Sequence, residues 1–396
     1  MRWVKRIGAV IGALALVAIV AGLIYREEIE RLYRVNTLFD EDRIVSNFSN
    51  METMFLSAPI PRSGPVWEFG EAPAPLPETF VGVDGEQSLE AYLEASATTS
   101  LIVVRNGQIE FEDYYLGTEP EDLRISWSVA KSFLSALIGV AVGEGAISSL
   151  DDPLTKYAPS LAGSGYDGAT IRNVANMASG VAFNEDYLDY NSDINKMGRE
   201  LALGGSLDEF SASITAMAGA PGEAWRYVSI DTHVLGMVLR GATGASVADY
   251  MAEKLWSKIG VEADAYYLTD AEGAAFVLGG LNIRSRDYAR FGRLILNDGV
   301  WEGERILPEG WVEESTAISA PPPAAAGYPF RYGYQWWTPP DADEEVFAIG
   351  VYGQWIWIDR KANVVIVRTS ANRNFRANSS QSRLDSIAMY RAIARP

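Results

Sequence analysis

From about residue 80 onward, strand patterns sit near the two ends of the chain and a long helix-rich stretch separates them, an order that restricts the fold more than any other feature. Ser88 to Ala95 reads as a short helix. Leu101 to Arg105 then reads as a strand, and Asn106-Gly107 is a hairpin signal because both residues tolerate positive φ. Ile109 to Tyr115 alternates as the partner strand. Strands return at Tyr332 to Trp337, Gln354 to Asp359 and Val364 to Thr369, before a last helix over about Ser382 to Ile393. Sequential elements pack into layers around one core, so this order predicts an α/β (α+β) fold. An antiparallel sheet is built from both ends of the domain and flanked by helices, with a mostly helical inserted region between them.

Bulk properties exclude several kinds of chemistry. With 48% apolar residues in 396, a sizeable core is affordable. A net charge of −19 repels phosphate backbones, so nucleic acid is not an expected partner. The chain has no cysteine, which removes disulfides, thiolate catalysis and Cys-based metal sites. Its one histidine, His233, rules out a His-rich metal site. No Walker loop or dinucleotide fingerprint occurs, and no metal or cofactor is expected.

The N-terminus has its own pattern. Arg2, Lys5 and Arg6 precede an apolar and glycine run from Ile7 to Tyr25. At about 1.5 Å per residue this run nearly matches a bilayer core of ~30 Å, so 1–25 is expected to be a signal anchor contacting the membrane, with a cleaved signal as the alternative. Either would export the rest, to a bacterial periplasm or cell surface. Residues 26–79 read as a charged stalk followed by a Pro-rich linker or strap (Ser57 to Pro77), and 80–396 as the globular domain.

The first chemical signal is Ser128-Val129-Ala130-Lys131, at the head of an apolar helix expected over Trp127 to Val142. A spacing of three puts both side chains on one helix face. Serine needs a base to become a nucleophile, and a lysine serves only where burial lowers its pKa. The alternative is a Ser N-cap with a solvent-facing lysine. Ile125, Trp127, Val129 and Phe133 oppose that alternative, because a lysine among apolar neighbours is costly unless used.

Two further elements follow. Tyr227, in Trp225-Arg226-Tyr227-Val228-Ser229, sits where a loop enters an apolar helix, a place from which a phenol can relay protons. An ordinary buried tyrosine is the competing reading. Gly350-Val351-Tyr352-Gly353-Gln354 precedes a strand read as an edge, where glycines admit a substrate to the backbone and a strand N–H can serve as an oxyanion donor. A plain hairpin turn competes with it. Tyr187, Tyr190, Trp336 and Trp337 are either cleft walls or core. No Gly-x-Ser-x-Gly elbow accompanies His233, which is read as structural.

Taken in this order, the three elements resemble the serine β-lactamase and penicillin-binding-protein superfamily over roughly residues 80–395, and within it class C β-lactamase-related hydrolases, family VIII esterases and 6-aminohexanoate-dimer hydrolase. Leu150 to Leu154, Thr170 to Val174, Met177 to Gly180, Gly279 to Leu281 and Ser285 to Gly292 add to the likeness. The resemblance implies Ser128 as the acylated nucleophile and Lys131 with Tyr227 as general acid–base. It also implies Ser229 as a contact of lysine and substrate, Tyr352 and Gly353 as substrate-binding, and the N–H groups of Ser128 and Gln354 as the oxyanion hole. The family's third motif is Lys-Thr-Gly or His-x-Gly, whereas Val351-Tyr352-Gly353 carries no cation. That departure favours a small-molecule ester or amide substrate over β-lactams or cell-wall peptides. A DD-peptidase and a catalytically silent binding protein are the rival readings. The sequence leaves the oligomeric state open.

Overall fold

The computed structural model describes residues 26–376 and 379–396 throughout, together with 3, 6–8, 11, 12, 14, 16, 20, 22 and 23. Helix α1 (Arg26–Asn36) leads to strands β1 (Leu56–Ile60) and β2 (Gly70–Glu71). The hairpin β3 (Thr98–Arg105) and β4 (Gln108–Tyr114) and a short β5 (Leu123–Ile125) come next. A 3₁₀ turn over Trp127–Val129 runs into α2 (Ala130–Gly143). The middle of the chain holds α3 (Asp193–Leu203), α4 (Ser229–Thr243), β6 (Ala265–Thr269), β7 (Leu281–Arg284) and α5 (Ser285–Leu296). The last part supplies β8 (Arg331–Tyr332), β9 (Trp337–Thr338), β10 (Glu345–Gly350), β11 (Gln354–Asp359), β12 (Val364–Ser370) and α6 (Ser379–Ala394).

The main sheet has eight strands in the order β8-β9-β10-β11-β12-β3-β4-β2. The chain's two ends meet where β12 pairs antiparallel with β3, in register from Val364 opposite Arg105 to Arg368 opposite Leu101. The hairpin turn falls on Asn106 (φ 53°) and Gly107 (φ 76°), the two positive φ values a two-residue connection requires. Period-two alternation then assigns each face its own core. Ile102, Val104, Ile356, Ile358, Val365 and Val367 face the layer that holds α2 and α5. Leu101, Val103, Trp355, Trp357, Val364 and Ile366 face α6 through Ile387, Tyr390 and Ile393. Gly292 lets α5 lie close on the sheet, since a Cβ there would come 2.5 Å from Val365.

Four expectations change. The strand expected over Tyr332 to Trp337 is two short strands, β8 and β9, joined by a turn with Gln335 at φ 64°. The strand from Gln354 is not an edge, because β11 lies between β10 and β12. The stretch expected as a stalk packs into the domain, and the Pro-rich stretch runs along its surface as a strap rather than a free linker. Phe48, Met51, Met54 and Ile60 are buried, β1 pairs with β6, and β2 adds to the main sheet as its one parallel strand. Finally, no helix among the described residues is long and apolar enough to cross a membrane, so the expected anchor gains no support. Many residues of its 7–25 segment lie outside the described ones.

Candidate active site

Ser128 is presented by a strained turn. Trp127, just before it, has φ 43°, in the left-handed region that costs an L-residue about 1–2 kcal/mol. Ring contacts hold it there, with Phe48 at 5.5 Å and Tyr352 at 5.6 Å between centroids. The result is a serine still partly exposed at the head of a helix whose first three turns are almost wholly buried.

Lys131 follows one turn later and is 1% exposed. Its Nζ donates to Ser128 Oγ at 3.2 Å and to the Leu278 carbonyl at 2.7 Å. Burial pushes the ammonium down to about 7, against the opposing pull of the Glu185 and Asp231 carboxylates. Tyr227 brings its ring within 5.5 Å of Lys131 Nζ, and its phenol interacts with the Ser128 and Ser229 side chains. Burial first, then the Glu185 charge, raises that phenol above its ordinary value, so it stays protonated. Trp337 stacks on the Tyr227 ring at 5.6 Å and fixes its plane.

The sequence reading missed two acids and one carbonyl. Glu185 accepts from the Ser229 backbone N–H and, at 3.1 Å, from Ser229 Oγ. It thereby caps the N-terminus of α4, where an anion is favoured. Burial raises the Glu185 carboxyl. Asp231 is fully buried, accepts from Tyr166 Oη at 2.8 Å, and is pushed up to about 7 by burial. Leu278 precedes the Gly279-Gly280-Leu281 stretch that marked the family, but a carbonyl acceptor leaves no trace in residue type. Ser229 itself is fully buried and occupied with Glu185, so it orders that acid and borders neither cavity described next.

Two cavities border Ser128. One, of about 490 Å³, is apolar. Its walls include Leu38, Phe39, Met51 and Phe55 from the N-terminal segment, together with Phe276 and Tyr352. The other, of about 200 Å³, is bordered by Tyr227, Trp337, Gly350 and Gly353 and by three arginines, Arg368, Arg376 and Arg383. Ser128, Tyr187 and Val351 border both. The third motif is a tight turn with Tyr352 at φ 62° and Gly353 at φ 92°. Gly350 passes so close to Ser128 that a Cβ would lie 2.6 Å from Ser126 O and 3.0 Å from Ser128 N.

The expected residues therefore divide. Ser128, Lys131 and Tyr227 come together, Tyr352 walls the apolar cavity, and Gly353 lines the other. Gln354 borders neither, because its amide bonds Ser370 across the sheet, donating to the carbonyl at 2.8 Å and accepting from the N–H at 3.2 Å. Tyr187, Tyr190 and Trp337 line cavities, whereas Trp336 is core, stacked on Phe291 at 6.1 Å. His233 binds Asp208 at 2.7 Å, which also pairs with Arg240, and has no place at the site. The third motif carries no cation, and the arginines of the smaller cavity come from β12 and the chain after it.

Comparisons with known proteins bear on the family and the fold. Residues 86–389 match the family described as Beta-lactamase. The 6-aminohexanoate-dimer hydrolase of Paenarthrobacter ureafaciens is 32% identical over 295 residues, covering 72% of this chain and 75% of that protein. A solved structure from Bacillus anthracis, described as a 6-aminohexanoate-dimer hydrolase, superposes with a TM-score of 0.80 at 26% identity, covering 90% of this chain and 95% of that one. EstCE1, a hydrolase with promiscuous acyltransferase activity, shares the fold at TM-score 0.59 and 14% identity, covering 76% of this chain and 96% of its own.

Proposed function

We propose, since this chain belongs to the beta-lactamase family and is a hydrolase of that family, that it cleaves an ester or small amide through an acyl-enzyme on Ser128. The observation that carries the proposal is Lys131 Nζ, buried and 3.2 Å from Ser128 Oγ, with Tyr227 against both. A lysine held near neutrality can take the serine proton as Oγ attacks the carbonyl carbon. A phenol that stays protonated suits the opposite task, delivering a proton to the departing oxygen or nitrogen. Lys131 is thus the base of acylation and Tyr227 the relay to the leaving group. Water then attacks the acyl carbon, and Ser128 recovers its proton along the same path.

Oxyanion stabilisation falls to the backbone N–H groups of Ser128 and Val351. Val351 is the third-motif residue that borders both cavities beside Ser128, and the absence of a Cβ at Gly350 lets that turn approach. The name of the 32% identical relative supports a small amide as one substrate class. A fluorophosphonate probe with mass mapping tests the reading. Label on Ser128, lost in Ser128→Ala and strongly reduced in Lys131→Ala, is the expected result. Label elsewhere, or p-nitrophenyl ester hydrolysis equal in wild type and Ser128→Ala, would overturn it.

A further inference from the structure

The apolar cavity beside Ser128 meets water at a rim of large apolar side chains. Three residues that line it are also exposed, Phe39 by 40%, Leu188 by 83% and Tyr190 by 70%. That exposure is built into the fold. Helix α3 pins the loop that carries two of them. Asn195 Nδ2 donates to the carbonyls of Tyr187 at 3.0 Å and Asp189 at 2.8 Å, and Arg199 Nη1 donates to the Tyr190 carbonyl at 2.8 Å. Phe39 is held by its stack on Tyr352. Arg199 is the one charged residue lining the cavity among the described residues, and its guanidinium lies 4.1 Å over the Tyr190 ring. A chain of net charge −19 thus presents no described acid on this wall. Large apolar side chains exposed around an apolar cavity are unfavourable in water, and transfer to an apolar phase relieves that cost. Tyrosine and arginine beside aliphatic side chains are what a lipid–water interface accepts.

The occupant follows from what the rim leads to. Ser128 borders the same cavity, so the phase that covers the rim stands beside the acyl group that the serine would take. A lipid surface supplies both the cover and the acyl chain, whereas a protein surface supplies only the cover. At ~30 Å³ per methylene, the share of one liquid water, a cavity of about 490 Å³ holds a chain of about ten carbons or more. We propose that this face docks on a lipid surface and that the hydrolase takes from it an ester of an uncharged acyl chain, with Phe39, Leu188 and Tyr190 in the lipid and the chain among the cavity's apolar walls. Ser128 Oγ takes the acyl group, and the alcohol oxygen of the lipid leaves with a proton. Water then returns the acyl group as a fatty acid. This rests on the serine mechanism for the reaction, and on the rim and the cavity alone for the docking.

The chain has no cysteine, so Leu188→Cys places a single environment-sensitive nitrobenzoxadiazole label on the rim. In the full chain carrying Ser128→Ala, titration with phosphatidylcholine vesicles should shift its emission to the blue. Attachment through any other part of the chain leaves this local signal unmoved. Adding Tyr190→Ser should raise the lipid concentration needed by about tenfold, the fold-change for losing the burial of one such side chain. No blue shift, or a titration untouched by Tyr190→Ser, overturns the inference. A blue shift that grows with protein concentration in the absence of lipid assigns the face to a second copy and also overturns it. Turnover of tributyrin by the wild type is followed separately. Once tributyrin exceeds its solubility and forms droplets, the rate should rise at least about fivefold above its monomer plateau, and Leu188→Ser with Tyr190→Ser should lose that rise. Cleavage with no rise at the solubility limit overturns the docking and leaves the serine mechanism standing. A blue shift on vesicles with no cleavage of any ester upholds the docking and overturns the mechanism.

Discussion

In the proposed mechanism Lys131 concentrates the chemistry in one ammonium group. Burial lowers it from 10.5 to about 7, so a proton is lost within the assay range. Ester hydrolysis by wild type should rise with pH, with a midpoint in kcat/KM near 7, and level off above it, because only the neutral amine accepts the serine proton. Glu185→Gln removes a negative charge that favours the ammonium, so the midpoint should move to lower pH. A midpoint that stays put, or moves up, removes Glu185 from the proton balance. Linkage gives the same lysine a stability signature. Between about pH 7 and 10.5 the unfolded chain carries a proton that the folded chain lacks, so stability rises with pH across that window. Lys131→Met should therefore abolish turnover, by at least ~10²-fold, while raising Tm at pH 7.5. A variant that loses both activity and stability would mark the lysine as structural.

At the scale of elements, the site depends on two approaches that leave no room for error. The turn after β10 lies against the head of α2 through Gly350, and the atoms a Cβ would meet, Ser126 O and Ser128 N, are backbone and cannot rotate away. Gly350→Ala should cost about 1–3 kcal/mol in urea unfolding and lower kcat/KM more than tenfold, because relief requires the backbone at Ser128 to move. A neutral substitution would mean the turn is free to retreat. The second approach is that of the N-terminal segment. Phe39 stacks on Tyr352 at 5.0 Å and 11°, and both rings line the apolar cavity. Phe39→Ala should raise KM for an octanoate ester by about 3–10-fold, the value of one lost aromatic contact, with a much smaller change for acetate. Equal effects on both esters would place Phe39 outside the acyl path.

Across the whole molecule, what could be read in advance was whatever repeats or alternates. Asn106-Gly107, the alternation of β3 and β12, and the apolar run of α2 each announce a local backbone state, and the order of those states implies a sheet joined from both ends. Ser128, Lys131 and Tyr227 were legible because spacing on a helix and position at a helix entrance are local as well. Glu185, Asp231 and Arg368 were not. Each acquires its role from register or loop path: Arg368 faces the cavity because it stands opposite Trp355 in the β11–β12 ladder, and an isolated Val-Arg-Thr says nothing of that. The short β8–β9 turn and the packed N-terminal segment were misread for the same reason, since tertiary contacts override local pattern there. The seam between β3 and β12 joins strands from opposite ends of the chain and carries side chains of both cores. Ile366 is fully buried at that seam, opposite Val103, on the α6 side of the sheet. Ile366→Ala should cost about 2–5 kcal/mol in equilibrium unfolding, the range for truncating a buried aliphatic side chain. The same change should leave kcat on a neutral ester within about twofold at 20 °C, since Ser128, Lys131 and Tyr227 are not among its contacts across the ladder. A loss of kcat matching the loss of stability would show that the sheet seam and the nucleophile respond as one unit.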